Sequence, residues 1–234
     1  MYSSAFCKIY NEFGWNYFPE AFGEHLLTWL DRHGVVVHTS LDLACGTGVL
    51  CEILHGRGIR AAGMDFSEGM IAIAKERNSH IRYEVADMIL YRPEEKFDLV
   101  TCTGDAINHI VRPEDVEKIF QNVHHYLSEG GYFIFDILNE NEVPTSEPFD
   151  LDYSDTVKAR FTITQDRKGV IDLQTAMYEN GVLQFEEHIT EVIHDPAMIC
   201  ALLEKCGFRV LRCADHLLED GVNHGTSWYI VAQK

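Results

Sequence analysis

A glycine turn is the feature of this sequence that most clearly suits a chemical role. The segment LDLACGTG at 41–48 predicts a strand that runs into Gly46-Thr47-Gly48 and then into a helix. Glycines at such a turn let a ligand approach the backbone closely, and the helix that follows offers free N–H groups to an anion. The turn alone is weak evidence, because a tight strand-to-helix connection without a ligand has the same pattern.

Two aspartates follow this turn at the ends of the next predicted strands. Asp65 lies 19 residues after Gly46, where a carboxylate accepts both hydroxyls of a ribose. Asp87 ends the predicted strand 81–87, so a second acid lies at the carboxyl edge, where open parallel sheets bind ligands. The three strand ends together predict a site for one nucleoside. Simple helix or turn caps are the alternative role for both aspartates.

The segments around these residues alternate between strands and helices. Apolar periodicity predicts strands at 40–44, 59–65, 81–87, 97–103 and 131–138, and helices at 17–33, 46–58, 67–78 and 113–130. Alternation of this kind implies βαβ units, and therefore a parallel sheet with helices on both faces.

The pattern changes after about residue 150. Polar and apolar residues alternate in 156–164, 170–178 and 182–193, and turn residues such as Asn180-Gly181 connect these segments. An antiparallel insertion is expected here, followed by a helix at 195–206 and strands at 208–213 and 226–232. The predicted fold is therefore α/β: a doubly wound, mostly parallel, seven-stranded Rossmann-like sheet with an antiparallel β insertion after strand five.

Composition and charge exclude several classes of protein. The 234 residues are 46% hydrophobic and 24% charged, which suits one large globular unit rather than a disordered chain. The net charge is −18 and basic residues do not cluster, so nucleic acid and an anionic membrane are poor partners. No secretory signal or spanning segment is evident, so a cytoplasmic location is expected. The scattered cysteines form no CxxC pair, so reduced thiols and no metal site are predicted.

The motif order resembles one known family. Cys51 stands where a dinucleotide fingerprint needs its third glycine, which counts against NAD. The segments LDLACGTG, GMDFSEGM, VADM, FDLVTCTGDAIN and EGGYFIFD, spread over about 38–138, instead resemble the class I S-adenosylmethionine-dependent methyltransferases of the small-molecule type. Ala44 departs from the fuller pattern, which often has a further glycine there.

This resemblance implies S-adenosylmethionine as the cofactor, together with a set of residues that bind it. Those expected to hold its methionine part are Asp42, Ala44, Gly46 and Gly48. Those expected around its ribose and adenine are Asp65, Phe66, Met70, Asp87 and Met88. Those expected near its methyl group, or in a lid formed by 6–18, are Thr103, Tyr10 and Tyr17.

Methyl transfer from a sulfonium mainly requires that the enzyme align the reactants and exclude water. A base helps where the acceptor carries a proton, and the candidates are Asp105, His109 and His188. His188 belongs to a Glu-x-His pair with Glu186 that resembles the substrate-covering extension of glycine and sugar-amine N-methyltransferases. A capped loop remains the alternative for Asp105, and a surface role for His188.

The sequence thus predicts methyl transfer to a small-molecule acceptor, at nitrogen or oxygen, by a monomer or homodimer. A non-catalytic sensor of S-adenosylmethionine remains an alternative, as does a nucleic-acid or protein methyltransferase on the same fold. The expected division is a helical lid (1–37), a cofactor-binding core (38–150), an extension over the substrate site (151–193) and the end of the core sheet (194–234).

Overall fold

The computed structural model describes residues 6–7, 10–11, 15–139, 146–166, 169–215 and 227–234. Its strands are β1 Thr39–Leu43, β2 Arg60–Asp65, β3 Arg82–Val85, β4 Phe97–Cys102, β5 Leu127–Leu138, β6 Ser146–Asp152, β7 Val157–Gln165, β8 Val170–Glu179, β9 Val182–Val192, β10 Arg209–Ala214 and β11 Ser227–Gln233. Its helices are α1 Tyr17–Arg32, α2 Val49–Gly56, α3 Glu68–Arg77, α4 Pro113–Tyr126 and α5 Pro196–Lys205, with a 3₁₀ turn at Ala106–His109.

Seven strands form the main sheet in the order β10-β11-β5-β4-β1-β2-β3. Five neighbouring strands of this sheet are parallel to one another, namely β5, β4, β1, β2 and β3. Strand β11 is antiparallel to both β5 and β10. The predicted doubly wound, mostly parallel sheet is confirmed. Because β1 and β4 lie at its centre, the segments that follow them meet at one carboxyl edge.

A second, antiparallel sheet has the order β6-β7-β8-β9 and is inserted between β5 and α5. The sequence predicted the last three of these strands but not β6, whose residues SEPFDLD lack a clear alternation. Pairing with β7 keeps β6 extended. The connection at Asn180-Gly181 has φ of 51° and 76°, the left-handed pair that a tight hairpin turn needs.

Two helix boundaries differ from the prediction by three residues or more, each for a local reason. Helix α2 begins at Val49 because Gly46 and Gly48 have φ of 53° and 79°, which no right-handed helix accommodates. Helix α4 ends at Tyr126, four residues early, because Leu127 already pairs with Phe97 in β4.

Apolar clusters cover both faces of the main sheet. On one face, residues of α4 and α5 such as Phe120 and Leu203 pack against Phe133 of β5. On the other face, residues of α1 and α2 such as Phe22 and Leu54 pack against Ile134 of β5. The seven cysteines are free thiols, as predicted. Within the described part of the chain, no helix combines the length and apolarity needed to cross a membrane.

Candidate functional site

A cavity of about 440 Å³ lies at the carboxyl edge of the main sheet and reaches β9 of the second sheet. Most of the predicted site residues line it, namely Tyr10, Asp42, Ala44, Gly46, Asp65, Phe66, Met70, Asp87, Met88, Thr103, His109 and His188. Its size is that of a typical small-ligand site. Tyr17, Gly48 and Asp105 are not among its lining residues.

The glycine turn forms one end of this cavity. A Cβ on Gly46 would meet nothing within 4 Å, so the turn leaves its backbone open to a ligand. Gly48 has a different purpose, since a Cβ there would lie 2.5 Å from Oη of Tyr83. Ala44 also has a positive φ of 54°, which explains physically why a glycine would suit its position.

Asp65 connects the turn to the end of β2. Its Oδ2 accepts a hydrogen bond from the Gly46 N–H at 2.9 Å, and its Oδ1 accepts one from Ser67 N–H at 2.8 Å. Burial raises the pKa of this carboxyl above its usual range. Each oxygen keeps a second lone pair, so Asp65 is able to accept hydrogen bonds from ligand hydroxyls as well.

Asp42 lies deeper, at the end of β1, and is only 3% exposed. Burial raises its pKa to about 7, and the negative charge of Asp65 adds to this. The hydroxyl of Thr101 on β4 opposes the shift by donating a hydrogen bond of 2.6 Å to Oδ1. A cation placed at this end of the cavity would therefore stabilise the ionised form of Asp42.

Apolar side chains form the wall next to Asp65. Met70 of α3 is buried, and Met88 and Ile89 follow β3. Phe66 is 54% exposed, an unusual position for a large ring, and borders the same space. Asp87 accepts a hydrogen bond from Ile89 N–H at 2.8 Å, which orients its carboxylate beside this wall.

The N-terminal segment contributes Tyr10 and Trp15 to the cavity, and their rings pack 5.3 Å apart. Asn11 accepts a hydrogen bond of 2.9 Å from Thr47 of the glycine turn, so this segment is tied to the turn. Tyr17 instead lies in α1 and is 74% exposed. Residues 8–9 and 12–14 of the expected lid lie outside the described residues.

The loop after β4 forms another part of the cavity wall. The buried Asp136 of β5 holds this loop, because its carboxylate accepts hydrogen bonds from the N–H groups of Gly104 and Asp105, at 2.8 and 3.1 Å. Asp105 is fixed in a left-handed conformation with φ of 54°. Asn108 ties the loop to the second sheet by donating to the carbonyl of Val192 at 2.7 Å.

Asp105 and Glu191 both approach His109, which lines this part of the cavity. Nε2 of His109 lies 3.6 Å from Oε1 of Glu191 and 3.9 Å from Oδ1 of Asp105. One ligand atom from each residue fits within 4.8 Å, a spacing that a cation could bridge, although the sequence predicted no metal site. Burial lowers the pKa of His109 to about 4, so at neutral pH its imidazole does not neutralise the two acids.

Both acids of this cluster are protonated more readily than usual. Burial raises the pKa of Glu191 to about 7. The pKa of Asp105 is raised by burial, by Glu191 and by Asp136. In the part of the chain that the structure describes, neither carboxylate has an ion pair with a lysine or arginine.

His188 lies at the rim of the cavity, on the outer face of β9. Its side chain is 61% exposed and forms an ion pair with Asp172 of β8. Glu186 is exposed on the same side of the strand. His188 and His109 thus line one cavity, but their imidazoles lie in different surroundings.

The sequence reasoning missed several residues at this site, of which Glu191 is the most important. The others line the cavity, among them Trp15, Phe18, Thr47, Ser67, Ile89, Ile189 and Thr190. A signal for Glu191 did exist: in the period-two pattern it shares the inner face of β9 with Phe185 and Ile189. An acid on an apolar face is a candidate for function.

Comparisons with known proteins find methyltransferases. Residues 41–131 match the model of a methyltransferase domain. A ubiquinone biosynthesis O-methyltransferase of Paraburkholderia phytofirmans is 30% identical over 122 residues, which cover 49% of this chain and 51% of that protein. The chain therefore spans about half the length of the curated relatives it matches.

Two solved structures share the fold over nearly the whole chain. An S-adenosylmethionine-dependent methyltransferase from Clostridium acetobutylicum is 24% identical, with a TM-score of 0.81, covering 92% of this chain and 91% of that one. The amino pentose methyltransferase CalS10 of Micromonospora echinaspora is 17% identical, with a TM-score of 0.76, covering 100% and 98%. The resemblance drawn from the motifs is confirmed: residues 41–131 are similar to a methyltransferase domain, and the chain has the fold of the class I S-adenosylmethionine-dependent methyltransferases.

Proposed function

We propose that the chain is an enzyme that transfers a methyl group from S-adenosylmethionine to a nitrogen or oxygen of a small molecule. The observation that carries this proposal is the single cavity that collects residues of the glycine turn, of the ends of β1 and β2 and of the loop after β4. One end suits a nucleoside with an amino-acid tail. The other offers polar groups to a second reactant.

The residues of the cavity fit the chemistry of this cofactor. Asp65 suits the ribose hydroxyls, and Phe66 and Met70 suit the adenine face. The open backbone at Gly46 admits the amino-acid part. Asp42, with its raised pKa, suits the positive charge that the ammonium and sulfonium groups bring. Gly48 is proposed to support this end indirectly, through its packing against Tyr83.

When bound, the cofactor supplies a methyl group that is already activated for displacement. The protein therefore has to align the acceptor and keep water out. Tyr10 and the inner face of β9 are proposed to cover the reacting atoms, with Thr103 beside them. Asp105, His109 and His188 are proposed to orient the acceptor or to take its proton.

A small acceptor is supported by the names of similar proteins, which include a ubiquinone biosynthesis O-methyltransferase and an amino pentose methyltransferase. The net charge of −18 disfavours a nucleic-acid substrate. A cytoplasmic monomer or homodimer remains the proposed form. The second candidate function is a sensor that binds S-adenosylmethionine without turnover, since its cofactor end would look the same.

Calorimetry with S-adenosylhomocysteine tests the cofactor end through a matched pair of variants. Asp65→Ala should weaken binding by about tenfold to a hundredfold, the usual scale for hydrogen bonds to a charged group. Asp98→Ala is the control: Asp98 also accepts two backbone N–H groups, those of His38 and Thr39, at 2.9 and 3.1 Å, but lies at the opposite edge of the sheet. If both variants lose the same affinity for S-adenosylhomocysteine, Asp65 acts only by holding the glycine turn.

A turnover screen separates the enzyme from the sensor. Release of S-adenosylhomocysteine is measured with a panel of metabolite amines, acids and phenols. Methylation of any of them supports the enzyme. Tight cofactor binding without turnover across the whole panel favours the sensor, and absence of cofactor binding refutes both.

A further inference from the structure

We infer that the acceptor is an amine that arrives as an ammonium ion and is held between the carboxylates of Asp105 and Glu191. This inference rests on the proposed function and narrows it from a nitrogen or oxygen nucleophile to a basic nitrogen. The observations that carry it are the convergence of the two carboxylates on His109, which lines the cavity, and two absences among the described residues: no lysine or arginine pairs with either acid, and no hydrogen-bond donor reaches Glu191.

Glu191 lies on the inner face of β9 and is only 9% exposed. Among the described residues, no group within hydrogen-bond distance donates to its carboxylate, and its Oε1 lies 3.6 Å from Nε2 of His109. Its oxygens are not among the fully buried side-chain atoms without a partner, so a ligand is able to reach them. A ligand with N–H groups would supply the missing donors.

The second carboxylate is brought to the same place by separate elements. Asp136 of β5 fixes the backbone of Asp105, whose Oδ1 reaches to 3.9 Å from the same imidazole. Two acids thus converge on His109, which lines the cavity and is uncharged at neutral pH. The pKa values of both acids are raised, chiefly by burial.

An ammonium group satisfies this arrangement better than an alcohol. Its positive charge offsets the charge of the pair, and its three N–H groups provide donors for both carboxylates. A hydroxyl has one donor and no charge, so it would leave one acid unsatisfied. Of the cluster, His109 lines the same cavity as the glycine turn, so a second reactant bound at the cluster would share that cavity with the cofactor.

The carboxylates of Asp105 and Glu191 would also take the proton that the amine has to lose before methyl transfer. The bound ammonium, R–NH₃⁺, gives one proton to a carboxylate and becomes R–NH₂. Its lone pair then forms the N–C bond to the methyl carbon while the C–S bond breaks, and that electron pair stays on sulfur. The products are R–NH₂–CH₃⁺ and S-adenosylhomocysteine, and the proton leaves the carboxyl group for solvent.

The first test uses matched acceptors, benzylamine against benzyl alcohol and 2-aminoglucose against glucose. The amines should be methylated, or should raise the melting temperature of the S-adenosylhomocysteine complex, while the alcohols do neither. Glu191→Gln and Asp105→Asn should raise KM for the amine at least tenfold and leave S-adenosylhomocysteine affinity within twofold. Preference for the alcohols, or an unchanged KM in both variants, overturns the inference but leaves the proposed function intact.

A second test needs no acceptor and decides the matter if the panel contains no substrate. If Glu191 is held ready for a cation, removing its charge should relieve the free protein, and Glu191→Gln should raise the melting temperature at pH 8 by about 2–4 °C. The control is Glu179→Gln, which removes an exposed acid from the same sheet and should change little. A lower melting temperature for Glu191→Gln would mean a structural role and overturn the inference.

A third test asks whether a metal ion binds instead, because the spacing of Asp105, His109 and Glu191 would also fit one. Activity and melting temperature are measured with EDTA and with added Mg²⁺, Mn²⁺ or Zn²⁺. We expect no dependence on either. Activity that is lost in EDTA and restored by one of these metals would assign the cluster to that metal instead of to an ammonium group.

Discussion

The carboxylates near the glycine turn and those near the loop after β4 are held in different ways. At the end proposed for the cofactor, Asp65 accepts hydrogen bonds from two backbone N–H groups and Asp42 accepts one from the hydroxyl of Thr101, so the protein itself supplies their donors. At the end proposed for the acceptor, no described residue donates a hydrogen bond to Glu191, whose Oε1 lies 3.6 Å from the imidazole of His109. Carboxylates whose hydrogen-bond donors come from the protein suit a cofactor that is the same in every reaction cycle. A carboxylate without such donors favours a ligand that brings its own N–H groups.

The largest effect on catalysis is expected from one of two histidines, His109 and His188, which line the same cavity. His109→Ala should lower kcat/KM by about 10²–10⁴-fold, the range that a group acting on proton transfer or alignment contributes. His188→Ala should lower it less than tenfold, because its imidazole is 61% exposed and paired with Asp172. Steady-state kinetics on one acceptor decides the order. A larger loss for His188 would move the catalytic contact to the rim.

Substitutions at Gly46 and Gly48 test what each glycine of the turn contributes to the free energy of unfolding. Gly48→Ala combines a left-handed backbone with a contact of 2.5 Å to the Tyr83 hydroxyl, so we expect a loss of about 2–4 kcal/mol in the free energy of unfolding. Gly46→Ala brings the strain without the clash and should cost about 1–2 kcal/mol. Urea denaturation measures both. Equal losses would mean that packing against Tyr83 is not what Gly48 provides.

The same division explains how far the sequence could predict the molecule. The glycine turn, Asp65 and the strand pattern are local signals, since each depends on residues close together in the chain or on one periodicity. The fold, and most residues that line the cavity near the glycine turn, follow from them. Glu191 could not be paired with Asp105 in this way, because the two are 86 residues apart and meet only through the packing of β9 against the loop after β4.

The pH dependence of cofactor binding tests the chemistry of Asp42. Burial raises its pKa to about 7, so the folded protein keeps a proton there that the unfolded chain releases near pH 4. If the cofactor's ammonium group favours the ionised acid, binding below pH 7 releases that proton. Affinity for S-adenosylhomocysteine should then weaken by up to about tenfold per pH unit below 7 and level off above it.

Calorimetry between pH 5.5 and 8.5 in buffers of different ionisation enthalpy detects the released proton directly. Asp42→Asn, which keeps the size of the side chain, should flatten the dependence. A slope that survives in this variant would assign the titration to Asp65, whose pKa burial also raises.

The smallest expected effect is a change in stability when strained backbone is relieved, at Ala44 in the main sheet's glycine turn region and at Asn180 in the second sheet. Ala44 at the cofactor end and Asn180 in the second sheet share a left-handed conformation, with φ of 54° and 51°. That conformation costs alanine about 1–2 kcal/mol, whereas asparagine adopts it more easily. Glycine removes the strain but loses about 0.4–1 kcal/mol through the greater freedom of the unfolded chain. Ala44→Gly should therefore stabilise the protein by about 0.5–1 kcal/mol, and Asn180→Gly should leave it nearly unchanged. If urea denaturation shows no gain for Ala44→Gly, the turn does not store strain there, and the alanine fits this site as well as a glycine would.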